Sequence, residues 1–137
     1  MKLNPDCMRD ILLTAESLDF DRGILFDDLR VMLQDYSAEE LLYGCYKLRE
    51  AGLIESTTFE IDGKVTPRTH EILDVTFSGH EFLEKIRDGK RWRIIKSGAA
   101  SVRDFSLSAL SAVAEGVTAA AISAYLSREK GHKEFFV

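Results

Sequence analysis

The segment Ser37-Ala38-Glu39-Glu40, followed by apolar residues at helical spacing and closed by Ala51-Gly52-Leu53-Ile54, constrains the fold more than any other part of the chain. Ser with Glu three residues on is a capping box, in which each residue's side chain satisfies a backbone donor of the other, so a helix starts here. Leu41, Cys45 and Leu48, with Leu42 beside them, recur at the helical period and give that helix one buried side, and Gly52 supplies the left-handed residue that stops it after Ala51. Leu53-Ile54-Glu55 leaves as strand, and Thr57 to Ile61 continues it. A capped helix that runs directly into a strand requires helix and sheet to share one core.

The flanking sequence supplies the rest of that core. Asn4 can cap free amides and Pro5 tolerates the first helical position, which predicts a helix from Pro5 to Ser17 with Met8, Ile11, Leu12 and Ala15 inward. Leu18 to Gly23 reads as loop, and a second helix is expected from Phe26 to Asp35, with Asp27 and Asp28 in its first turn. Beyond Ile61, Asp62-Gly63 is a turn dipeptide and His70 to Thr76 a return strand. Val65-Thr66-Pro67-Arg68 is read as loop, so the expected hairpin has a wide tip. Ser78, with Glu81 three residues on, is expected to cap a fourth helix carrying Phe82, Leu83 and Ile86 inward. Gly89 should interrupt it, leaving a short amphipathic piece around Trp92, Ile94 and Ile95. Ser97-Gly98-Ala99-Ala100-Ser101 reads as a joint, and Asp104 to Ser127 as a long helix rich in Ala and Ser.

Three helices, a hairpin and a further helix follow the order of a winged helix-turn-helix, with the hairpin as the wing. The expected fold class is therefore mainly α with a small β-hairpin, plus a long C-terminal helix. Residues 1–88 would form the winged-helix domain, 89–103 a basic connecting segment, and 104–137 an Ala-rich helix and tail serving as dimerisation element. A chain of 137 residues is long enough to bury such a core without metal or disulfides. Cys7 and Cys45 fit no metal-ligand spacing and are expected as buried thiols in a reducing, cytoplasmic setting.

At Asn4-Pro5-Asp6-Cys7-Met8-Arg9-Asp10-Ile11-Leu12-Leu13, at Ala51-Gly52-Leu53-Ile54, and at Thr76-Phe77-Ser78-Gly79-His80-Glu81-Phe82-Leu83-Glu84-Lys85-Ile86-Arg87-Asp88 followed by Trp92, the chain resembles a known group. That group is the bacterial and prophage family labelled domain of unknown function 2513, and the resemblance spans roughly residues 1–115. It implies a small cytoplasmic winged-helix-like protein without an assigned activity, and it carries over no catalytic or binding residue.

The formal charge of −5 conceals an uneven distribution. Residues 1–62 carry 6 basic and 14 acidic side chains, whereas residues 85–103 carry 7 basic side chains and the single acid Asp88. A basic block around Trp92 thus sits inside an acidic protein, either as a solvated face or as a polyanion contact. The reading taken first is a winged-helix DNA-binding regulator, bacterial or prophage. Base edges and phosphates would meet Tyr43, Lys47 and Arg49, with Tyr46 beside them, on the third helix. Lys64 and Arg68 would contribute from the wing and Lys90, Arg91 and Arg93 from the basic block. The alternative is an interaction module that binds no DNA, its acidic face taking a basic partner. Glu39, Glu40 and Glu50 on the third helix argue for it.

Enzyme chemistry is not expected. No phosphate loop, nucleophile elbow or carboxylate pair is present, and His70, Asp74, His80 and Glu81 match no ligand spacing, so no metal, cofactor or small-molecule ligand is implied. In the last helix Leu110, Val113, Val117 and Ala121 recur at three-four spacing, the pattern of a homodimer seam or an internal core helix. From Phe105 to Leu126 the only charge is Glu115, so the length admits a membrane span. The Ala and Ser content and the absence of aromatic and basic framing on both sides argue against one.

Overall fold

The computed structural model describes residues 1–135, with side chains in the last helix described as far as Glu129. Among these residues the chain has six helices and a small three-stranded antiparallel sheet, arranged in two compact units, Met1–Arg87 and Asp88 onward.

In the first unit, α1 (Pro5–Glu16) starts where Asn4 Oδ1 accepts from the Cys7 amide at 3.2 Å. The two residues of β1 (Ile24–Leu25) lead into α2 (Phe26–Met32), which ends three residues before the expected Asp35. The third helix, α3 (Ala38–Glu50), carries the capping box in full. Glu40 N donates to Ser37 Oγ at 3.1 Å, Ser37 N donates to Glu40 Oε1 at 3.2 Å, and Gly52 stops the helix at φ 75°.

The strands β2 (Ile54–Ile61) and β3 (Lys64–Val75) close at Asp62-Gly63, whose φ values of 52° and 75° suit a tight type I′ turn. The expected wide tip is therefore absent. Val65 pairs with Glu60, and Pro67 lies within β3 at an irregularity between the Glu60↔Val65 and Thr58↔Thr69 pairs. Proline offers no amide, and a bulge is where a strand does not need one. Thr66 Oγ1 pins this bulge by donating to the Phe59 carbonyl at 2.7 Å. Strand β1 pairs with β3 through Ile24↔Ile72 and Leu25↔Glu71, giving the order β1-β3-β2.

The fourth helix, α4 (Phe77–Ile86), is capped by Thr76 rather than Ser78. Thr76 Oγ1 accepts from Gly79 N at 3.0 Å and donates to the Gly52 carbonyl at 2.5 Å, so the cap also joins α4 to the end of α3. Ile11 and Leu12 of α1, Leu29 of α2, Leu41, Cys45 and Leu48 of α3, Ile54 and Ile72 of the sheet, and Leu83 and Ile86 of α4 are all buried. Both thiols are free and buried, as expected, and burial pushes the pKa of each up to about 12.

In the second unit, Asp88 caps α5 (Gly89–Ser101) by accepting from Arg91 N at 2.9 Å. The interruption expected at Gly89 falls at Arg87-Asp88, with Gly89 the first residue of the next helix, and the expected joint at 97–101 is helical. The break falls at Val102–Ser106 instead, where Arg103 takes φ 54°. The long helix α6 (Leu107–Phe135) begins three residues after the expected Asp104, with Ser106 Oγ accepting from Ala109 N at 3.1 Å. It packs against α5, and Leu110 and Ala114 are buried.

Candidate partner-binding cleft

With Leu41, Gly44, Cys45 and Leu48 committed to the core, helical geometry turns Glu39, Tyr43, Tyr46 and Glu50 outward as one stripe. Two aromatic rings therefore stand between two carboxylates. Lys47 lies against both rings, its ammonium 5.6 Å from the Tyr43 centroid and 5.1 Å from that of Tyr46. It is also ion-paired to Glu50 at 3.2 Å, and this hydrogen bond holds the Lys47 pKa above its ordinary value. The one cation on this side of α3 is thus already occupied within the helix.

Between this face and the hairpin lies an apolar cleft of about 220 Å³, lined by Met1, Glu39, Leu42, Tyr43, Tyr46, Pro67 and Arg68. The bulge in β3 places Pro67 and Arg68 there. Glu39 and Arg68 give the cleft one charge of each sign. Its volume suits one or two apolar side chains.

Of the residues expected to contact nucleic acid, Tyr43 and Arg68 meet in the cleft and Lys47 borders Tyr43. Arg49 is exposed on α3 and Lys64 is exposed beside the hairpin turn; neither lines the cleft. Lys90, Arg91 and Arg93 belong to the second unit, with Lys90 and Arg93 exposed and Arg91 half-buried on α5. Of the dimer-seam residues, Leu110 is buried, while Val113, Val117 and Ala121 are half-buried. A methyl built on Gly98 of α5 would come within 2.8 Å of Val113 Cγ1, so part of that seam packs inside the chain.

The His70 ring lies against Phe59 with centroids 4.6 Å apart and planes tilted by 56°, and His80 Nδ1 lies 3.7 Å from Glu16. The expectations drawn from residue types missed Leu42, Pro67 and Met1 as lining residues. Only the position of Leu42, beside the inward Leu41, Cys45 and Leu48 and next to two tyrosines, hinted at this in the sequence.

The family model described as "Hypothetical protein (DUF2513)" matches residues 2–104. An uncharacterized protein of Haemophilus influenzae is 33% identical over 118 residues, which cover 85% of this chain and 95% of that protein. With a match across most of its length and a relative aligned nearly end to end, the chain belongs to the DUF2513 family.

Proposed function

We propose that the first unit is a winged-helix module that holds a partner polypeptide in the cleft between α3 and the hairpin. The order of three helices, hairpin and helix, with a short strand completing the sheet, supports the winged-helix reading. The observation that carries the choice of partner is the outward stripe of α3, in which Tyr43 and Tyr46 stand between Glu39 and Glu50. A helix that reads DNA needs cations and amides facing phosphates and base edges. Here the outward stripe would set a carboxylate at each end and two phenol rings between them against the duplex, in a unit with 10 basic and 18 acidic side chains. An apolar side chain flanked by Lys or Arg fits the same surface, the side chain entering the cleft and the cations meeting Glu39 and Glu50.

The test places a photo-reactive amino acid at Tyr43, or as a control at exposed Asp27, in the full chain inside bacterial cells. Polypeptide adducts are expected from position 43 alone, and they should disappear when Glu39→Lys and Glu50→Lys are combined. Absence of a charge-dependent adduct at position 43 would overturn the reading. So would binding of duplex DNA that weakens with salt and is lost in Lys47→Glu and Arg68→Glu, the pattern of phosphate contact.

A further inference from the structure

Helix α5 buries Trp92, Ile95 and Ala99, and the same helical spacing turns Lys90, Arg93, Ile94 and Ser97 outward on one face. All four are exposed, Ile94 by 57%. Lys96 lies on the other side, its ammonium 5.7 Å from the Trp92 ring centroid, and Arg91 is half-buried. The outward face of α5 is therefore an apolar side chain flanked by Lys and Arg, and no acid occurs between Gly89 and Ser101. That is the chemistry the cleft between α3 and the hairpin is suited to hold.

The charge of the two units points the same way. Met1–Arg87 carries 10 basic and 18 acidic side chains, and Asp88–Val137 carries 8 basic and 5 acidic. Two copies of the chain thus attract through unlike units and repel through like ones.

We infer that the polypeptide held in the cleft is helix α5 of a second copy, with its Ile94 between Tyr43 and Pro67 and its Lys90 and Arg93 facing Glu39 and Glu50. The inference rests on the cleft reading above and names the occupant. Glu39 and Glu50 are about 16 Å apart along α3, a span that two extended basic side chains rooted one turn apart can bridge. Glu50 shares its charge with Lys47, so Glu39, which lines the cleft, exerts the stronger attraction. Arg68 would repel a further cation, and this orients the helix. Its basic turn runs along α3, and Ser97, one turn past Ile94, lies toward the hairpin. In a two-fold pair the contact forms twice, α5 of each copy in the cleft of the other, so the buried area doubles and the assembly closes.

Sedimentation velocity of the purified full chain over a concentration series tests this. The chain should dimerise, and roughly tenfold more weakly in 0.5 M than in 0.1 M salt. One variant combines Glu39→Lys with Glu50→Lys, and another combines Lys90→Glu with Arg93→Glu. Each alone should associate roughly a hundredfold more weakly, because both contacts of its homodimer then oppose like charges. An equimolar mixture should regain wild-type association, since both contacts of the mixed pair are again complementary, and that recovery shows both variants to be folded. With the charges intact, a Tyr43→Cys chain mixed with an Ile94→Cys chain and oxidised should give chiefly a disulfide-linked pair of mixed composition.

A chain that stays monomeric at about 100 μM would overturn the inference. So would a dimer that neither charge variant weakens, which would assign the seam to α6, a mixture that fails to recover, or the lack of a mixed disulfide pair. Photo-adducts at position 43 formed only with other proteins would overturn it and leave the cleft reading standing. The absence of any charge-dependent adduct there removes both.

Discussion

The Asn4 side-chain amide donates to Glu40 Oε2 at 2.8 Å while its own carbonyl caps α1, so one hydrogen bond joins the N-termini of α1 and α3. The other oxygen of Glu40 closes the capping box on Ser37. Asn4→Ala removes a cap and the link at once, and should cost about 1–2 kcal/mol. Urea denaturation of the full chain measures this as a lower midpoint. Asn4→Asp should behave worse than a simple cap replacement, because it sets a second carboxylate against Glu40.

Glu16 on α1 accepts from both terminal nitrogens of the Arg87 guanidinium, and Arg87 also meets Glu84 at 2.7 Å. The hydrogen bond from Arg87 holds the Glu16 carboxyl below the usual carboxylate range, and Asn4 does the same to Glu40. Groups with depressed folded pKa values bind protons more readily in the unfolded chain. Their contribution is full above the ordinary carboxylate pKa and is lost as pH falls through the lowered folded values. The denaturation midpoint should therefore decline on acidification, and Glu16→Gln should flatten that decline. Because the pair is partly exposed, Arg87→Met should cost about 1 kcal/mol or less near neutral pH.

A Cβ at Gly79 would lie 2.1 Å from the Leu53 carbonyl oxygen and 2.6 Å from Val75 Cγ1. Backbone cannot yield as a flexible side chain does, so Gly79→Ala should destabilise by about 1–3 kcal/mol despite the better helix propensity of Ala. Thermal unfolding followed by circular dichroism checks it. Ser78→Ala, at the exposed position first expected to be the cap, should leave the midpoint nearly unchanged.

Two glycines in the second unit separate propensity from packing. Gly116 has open space where a methyl would go, so Gly116→Ala should gain about 1 kcal/mol of helix stability. At Gly98 the same gain should be cancelled by the contact with Val113, and should reappear when Val113→Ala is combined with it. Equal effects of Gly98→Ala in both backgrounds would remove the Gly98–Val113 contact as an explanation.

The thiols offer a simple check of the core. Cys7 and Cys45 are buried with their pKa pushed up to about 12, so a disulfide reagent at mildly alkaline pH should find neither in the native chain. Both should react once the chain is denatured.

The sequence by itself determined the features whose causes lie within four residues. Asn4-Pro5 and the Ser37–Glu40 box set the starts of α1 and α3, Gly52 set the stop, and the apolar period identified the inward sides of α1, α3 and α4. The acidic-aromatic character of α3 and the uncharged length of α6 were equally legible, because helical geometry converts spacing directly into faces.

Tertiary structure decided the rest. Thr76 outcompetes Ser78 as a cap because its hydroxyl also reaches Gly52, 24 residues away. β1 has two residues, too few to show a period, and exists only because Ile24 and Leu25 meet Ile72 and Glu71. Pro67 looked like loop and became part of β3 because the bulge opposite Phe59 asks for no amide there. That bulge is what carries Arg68 to Tyr43, so the cleft depends on strand register, which local propensity does not encode and only pairing between distant segments sets.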